Sequence, residues 1–147
     1  MKKQGISGWL LIITLIFVLS GIVGLFQLFE RVMSLNFFYS SNSLIVGIIS
    51  LIFLLILLFF IWKTVYLILK KKKNAKNTAI ITLWISLAYA VWYRILAGLI
   101  FQFNDLISAG ISNIIQRLVF LAISLILIIL LIFYFKKSER VRNTFIK

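Results

Sequence analysis

The sequence predicts an all-α fold, an integral membrane four-helix transmembrane bundle with almost no water-soluble part. Hydrophobic residues make up 63% of the 147 residues and charged residues 13%, whereas soluble domains carry roughly 45–50% and about 25%. Four apolar segments each approach the roughly 20 residues needed to cross about 30 Å of hydrocarbon. The net charge of +13 flanks these segments and forms no basic domain, so nucleic acid is not expected as a partner.

The predicted helices cover residues 8–29, 43–69, 78–101 and 118–135, within one domain spanning 1–147. The first follows Lys2 and Lys3 and could be a signal peptide, but its apolar core exceeds the usual 7–15 residues, so we expect it to be retained. The second is longer than a membrane requires. We expect it to protrude into the cytoplasm, with Trp62 and Lys63 as the anchor at the headgroups. Tilt is the alternative.

The two loops and the tail set the orientation. Twelve Lys and Arg residues lie on one predicted side of the membrane and two, Arg31 and Arg117, on the other. The twelve are Lys2, Lys3, Lys70, Lys71, Lys72, Lys73, Lys76, Lys136, Lys137, Arg140, Arg142 and Lys147. The rich side is expected to be cytoplasmic, which places both termini inside. Between the last two helices, isoleucines at helical spacing predict a short amphipathic helix on the outer surface, within residues 102–117.

The third helix carries a stripe of small and polar residues spaced by four: Thr82, Ser86, Ala90, Arg94 and Gly98. Such a stripe should face the bundle. An intramembrane Arg is a functional hypothesis by default, yet Arg94 is also close enough to the outer interface to reach the headgroups. Its candidate ion-pair partners are Glu30 and Asp105. The alternative is that Arg94 binds an anion in a pathway lined by the stripe.

The first helix has a weaker face of the same kind, which we expect to pack against the third helix. Its residues are Thr14, Ser20, Gly21, Gly24 and Gln27.

Catalysis is not expected. The chain contains no His and no Cys, so thiol and imidazole chemistry and the usual metal ligands are missing. No carboxylate lies near the middle of a predicted helix, as a proton-coupled transporter would need. We therefore expect no enzyme activity, no cofactor and no metal.

Two motifs resemble a known family. The start reads GISGWLLI from Gly5 to Ile12, and the end reads YFKKSERVRNTFIK from Tyr134 to Lys147. Together they resemble the bacterial inner-membrane family called domain of unknown function 2569. The shared positions are Gly5, Gly8, Trp9, Tyr134, Phe135, Ser138, Arg140, Val141, Thr144 and Phe145. The chain departs from the pattern at Ser7, which replaces a glycine, and at Phe133, which stands where the family often has proline.

The resemblance implies a multi-pass protein of the bacterial cytoplasmic (inner) membrane and brings no catalytic residues. We expect a non-enzymatic accessory or interaction protein, with a protein partner or as a homo-oligomer. The alternative is a small transporter or channel-like oligomer. In the tail, Lys136, Lys137, Arg140 and Arg142 are expected to contact anionic headgroups, with the tail as a basic interfacial helix. The competing interpretation is a solvated basic tail.

Overall fold

The computed structural model describes residues 8–34, 41–93 and 110–145. These ranges form four long helices and one short helix, with no strand among them. They are α1 (Trp9–Ser34), α2 (Ser41–Leu69), α3 (Ala75–Val91), α4 (Gly110–Lys137) and α5 (Glu139–Thr144). The all-α prediction is therefore confirmed.

Three of the helices are long and apolar enough to cross a membrane. The spans are Trp9–Met33, Ile45–Leu69 and Leu118–Lys137, and the described part of α3 is a shorter apolar helix of 17 residues. Large apolar side chains cover the outside of the bundle; Leu19, Phe26 and Leu130 are each more than half exposed. An exterior of this kind suits lipid rather than water as the solvent. The described helices indicate a multi-pass membrane protein.

Neighbouring long helices pack in chain order, α1 against α2, α2 against α3, and α3 against α4. At one end of the bundle all five helices contribute to a single hydrophobic cluster, which we call the basic-end core. It contains Leu10, Ile13, Phe17, Val65, Ile68, Ala75, Ala79, Leu83, Ile132, Phe135, Val141 and Phe145. The start of α1, the end of α2, the start of α3 and the end of α4 therefore lie together, in an up-down-up-down arrangement.

Two residues with positive φ shape this end. Gly8 has φ 60°, and its carbonyl accepts hydrogen bonds from the amides of Leu11 and Ile12 at the first turn of α1. Glycine adopts that conformation without a steric penalty. Lys71 has φ 52° in the turn that joins α2 to α3, where its amide bonds the Ile68 carbonyl at 2.9 Å. The chain thereby reverses within five residues, 70–74.

The last long helix begins earlier than predicted. It starts at Gly110 rather than near residue 118, so residues 110–117 extend α4 and are not part of a separate helix on the outer surface. The same apolar spacing that suggests an interfacial helix also suits the first turns of a longer one. The rest of the predicted segment, 102–109, lies outside the described residues.

The small-residue face of α1 packs against α2, and our expectation of α3 is wrong. A Cβ atom added to Gly24 would lie 2.7 Å from Leu58 Cδ2, and one added to Gly21 would lie 3.1 Å from the Trp62 ring. Ser20 and Gln27 are exposed, while Thr14 is buried and donates to the Leu10 carbonyl at 2.7 Å. The glycines of α1 favour close approach of whichever helix lies beside them. The spacing of the small residues could therefore not distinguish α2 from α3 as the neighbour.

Candidate functional site

Two threonines form a hydroxyl contact in the centre of the α2–α3 interface. Thr64 on α2 and Thr82 on α3 are both fully buried, and their Oγ1 atoms are 2.6 Å apart. Thr82 Oγ1 also lies 2.8 Å from the Thr78 carbonyl oxygen and 3.2 Å from the Phe60 carbonyl oxygen. A hydroxyl has one proton and two lone pairs. Thr64 therefore donates to Thr82 whenever Thr82 gives its own proton to a carbonyl.

The same pattern continues along the described part of the stripe. Ser86 is half-buried, and its hydroxyl donates to the Thr82 carbonyl at 2.9 Å. Thr78 donates to the Asn74 carbonyl at 2.9 Å. These are bonds to the residue four positions earlier, the usual way in which a helix satisfies a Ser or Thr hydroxyl. Every hydroxyl of this set is thus satisfied by protein atoms. Arg94 and Gly98 lie outside the described residues.

A second polar contact joins the same two helices further from the basic-end core. The indole N–H of Trp92 donates to Ser50 Oγ at 3.0 Å, and the Trp92 ring stacks on Phe53 with 6.2 Å between centroids. Sequence reasoning missed this contact. A buried indole N–H needs an acceptor, and this need is the signal that could have predicted the contact. The sequence offers many hydroxyls, however, and does not specify Ser50.

At the far end of α1, a cation–aromatic cluster contacts α3. The Arg31 guanidinium carbon lies 4.5 Å from the Tyr93 ring centroid and 5.9 Å from that of Tyr89. The two tyrosine rings stack with an interplanar angle of 9°. In the sequence analysis, Arg31 counted only as one of the basic residues that set the orientation in the membrane. Glu30 is exposed beside it, whereas Asp105 and Arg94 lie outside the described residues, so the pairings predicted for Arg94 stay predictions.

The tail docks on the bundle through its apolar face. Val141 is fully buried and Phe145 nearly so, both within the basic-end core. Ser138 caps α5, its hydroxyl accepting from the Val141 amide at 3.4 Å. A freely solvated tail does not describe this arrangement, and the position of α5 at the membrane interface stays a prediction. The protein buries the apolar face that we expected the interface to cover, because the ends of four helices leave an apolar surface there.

Of the four basic residues of the tail that were expected to contact headgroups, the structure describes the side chains of two. Lys136 and Lys137 are exposed, and the Lys137 ammonium lies 5.8 Å from the Phe133 ring centroid. The Lys136 carbonyl accepts a bond from the Lys76 ammonium at 3.4 Å. The side chains of Arg140 and Arg142 lie outside what the structure describes. Headgroup contact by these four residues therefore stays a prediction.

The Lys63 side chain points back along α2, and its predicted place at the headgroups stays a prediction. Its ammonium lies 5.6 and 5.7 Å from the ring centroids of Phe59 and Phe60, one turn earlier in α2. Helical side chains point toward the amino end of their helix, and the two ring faces attract the cation.

The comparisons with known proteins bear on the family alone. No curated protein and no solved structure matches the chain. A family model described as "Protein of unknown function (DUF2569)" matches residues 3–146, nearly the whole chain. The two motifs that suggested this family occupy structural positions: Gly8 has the left-handed φ, Ser138 caps α5, and Val141 and Phe145 lie in the core. The resemblance is thereby confirmed, and the chain belongs to the DUF2569 family of proteins of unknown function.

Proposed function

We propose that this chain is a non-enzymatic accessory protein of the bacterial inner membrane, with both termini cytoplasmic, which acts by binding lipid and a protein partner within the membrane. Three apolar membrane-length helices and an apolar exterior support the membrane location. The lysines of residues 70–73 and 136–137 border the basic-end core, and the positive-inside bias assigns that end to the cytoplasm.

The observation that carries the accessory role is the buried threonine contact. A transport pathway needs polar groups that face water or substrate. In the stripe where such a pathway was most expected, Thr82 is fully buried, and its hydroxyl is bonded to Thr64 and to backbone carbonyls. At Thr82 the stripe is thus a packed helix contact. An element of this kind holds helices together and leaves the outer faces available to a partner.

Water access to the stripe tests the proposal. Because the chain contains no Cys, single-cysteine variants are labelled at one known position. We expect Thr82→Cys and Ser86→Cys in native membranes to react very slowly with a membrane-permeant, water-soluble maleimide, because the proposal places neither side chain in water. Asn74→Cys, exposed in the turn, is the control for full reactivity.

Labelling of Ser86→Cys at a rate close to that of Asn74→Cys would overturn the proposal. It would mean that water fills the stripe, as in a transporter or channel-like oligomer. A protein partner can be sought by purifying the complex. A partner that is lost when the outward face of α4 is altered would be the protein that this accessory protein serves.

A further inference from the structure

Two basic segments that are distant in sequence meet at one end of the fold. The turn between α2 and α3 carries four consecutive lysines, 70–73, followed by Lys76, and the end of α4 carries Lys136 and Lys137. The hydrogen bond between the Lys76 ammonium and the Lys136 carbonyl, 3.4 Å, brings the two segments into contact. Each segment alone would present only a short run of basic residues.

Docking of α5 adds the tail to this group. Val141 lies in the same buried cluster as Ala75, the first residue of α3 after the lysine turn. Arg140 and Arg142 flank Val141 in the chain, so docking of Val141 places this stretch of backbone at the same end of the fold as the lysine turn. Within residues 70–76 and 136–142 there are nine basic residues and one acidic residue, Glu139.

Nine like charges at one end repel each other, and the repulsion opposes docking of the tail. The repulsion falls when anions bind among them, so an anion that binds the docked form better than the undocked form shifts the equilibrium toward docking. Phosphate is one of the groups that clustered Lys and Arg bind well.

Exposed apolar side chains beside the lysines favour a phospholipid over a free phosphate ion as the ligand. Tyr66 and Leu69 on α2 and Phe133 on α4 are each more than half exposed, within one turn or so of the basic residues. A phospholipid supplies acyl chains to these side chains and a phosphate to the lysines. A soluble phosphate ion supplies only the charge.

We propose that the basic end is a binding site for anionic phospholipid headgroups, which is assembled when α5 docks and which in turn holds α5 in place. This inference rests on insertion in a membrane, as in the proposed function, but not on which side the end faces.

Distances between spin labels test the proposal in lipid nanodiscs. Labels at Asn74→Cys and Glu139→Cys, both exposed sites, report whether α5 lies against the turn. We expect a single narrow distance population in discs containing about a third phosphatidylglycerol. In discs of phosphatidylcholine alone, at least half of that population should shift to a broad distribution. Because both leaflets of a disc are identical, a wrong orientation in the cell cannot affect the outcome.

A control pair, Asn74→Cys with Gln27→Cys, spans the bundle without using the tail and should give the same distance in both lipids. The charge-removed variant, with Gln at Lys136, Lys137, Arg140 and Arg142, should lose the response to anionic lipid. Lys63→Gln, which removes a lysine that lies over two phenylalanine rings instead, should keep it.

Three results would overturn the proposal. Equal distance distributions in the two lipids would mean that headgroups do not stabilise docking. A broader distribution in the anionic discs would mean that lipid pulls the tail off the bundle. Full docking in neutral discs on addition of inorganic phosphate would assign the site to a soluble anion.

Discussion

Thr82 makes the best-defined polar contact inside the bundle, with Thr64 2.6 Å away. Replacing either by Val keeps the shape and removes the hydroxyl. Each single change should lower the free energy of unfolding, and the two should be coupled by about 0.6 kcal/mol and at most about 1.7, the range for side-chain hydrogen bonds in membranes. Unfolding in mixed detergent micelles, as a double-mutant cycle, measures the coupling.

Ser124 provides the control for that cycle. Its hydroxyl bonds the Phe120 carbonyl within α4, so Ser124→Val should show no coupling to Thr64→Val. Additive effects of Thr64→Val and Thr82→Val would show that the two hydroxyls do not interact in the folded protein.

Gly24 faces Leu58 so closely that a larger residue must displace the Leu58 side chain or separate α1 from α2. We expect Gly24→Leu to lower the free energy of unfolding by about 1–3 kcal/mol, the usual cost of overpacking. Ser20→Leu, one turn earlier and exposed, should leave it nearly unchanged. Thermal unfolding in one detergent compares the two variants. Equal losses would mean that α1 turns a different face to α2.

Arg94 lies outside the described residues, and the prediction for it rests on sequence. If Arg94 forms a structural pair, Arg94→Leu should be expressed and keep its stability. If Arg94 binds an anion, Arg94→Leu should stay folded but abolish the cellular phenotype, and Arg94→Lys should restore part of it. An unpaired Arg at the centre of a helix costs at least about 2.5–3.5 kcal/mol on insertion scales. Melting temperature and phenotype, measured together, distinguish the two cases.

Among the elements, α5 is short and begins at a capping residue, Ser138. Ser138→Ala removes the cap, which normally costs about 0.5–2 kcal/mol. The loosened tail should be cut by trypsin after Arg140 and Arg142 several-fold faster, whereas Ser138→Asp, which keeps an acceptor, should restore protection. Mass spectrometry of the fragments locates the cuts. Equal protection in all three proteins would mean that core packing alone holds α5.

The long helices were predictable because lipid demands long apolar runs, and such runs are visible without any partner. Which faces meet was not predictable in the same way. Val141 and Phe145 are four residues apart and need an apolar cover, but acyl chains and the basic-end core would cover them equally well. For the candidate site, the spacing placed Thr82 and Ser86 on one face, and the partner Thr64 could not be chosen among the other polar residues of three helices.

At the scale of the whole molecule, the prediction concerns the orientation of the chain in the membrane. Reporter fusions after residue 74 and at the carboxyl terminus should read cytoplasmic, and a fusion at residue 40 external, because the basic residues are concentrated at one end. Paired alkaline phosphatase and fluorescent protein fusions measure both sides. An external signal at residue 74 would invert the orientation and remove the cytoplasmic assignment of the basic end.

The basic-end core joins Leu10, near the start of α1, to Phe145, just after α5. During synthesis this core can close only after Val141 and Phe145 have left the ribosome. Until then the core lacks these two apolar side chains, and exposed apolar surface of this kind invites aggregation or capture by chaperones. A chain that stops before Val141 should therefore be recognised by the cell as unfinished.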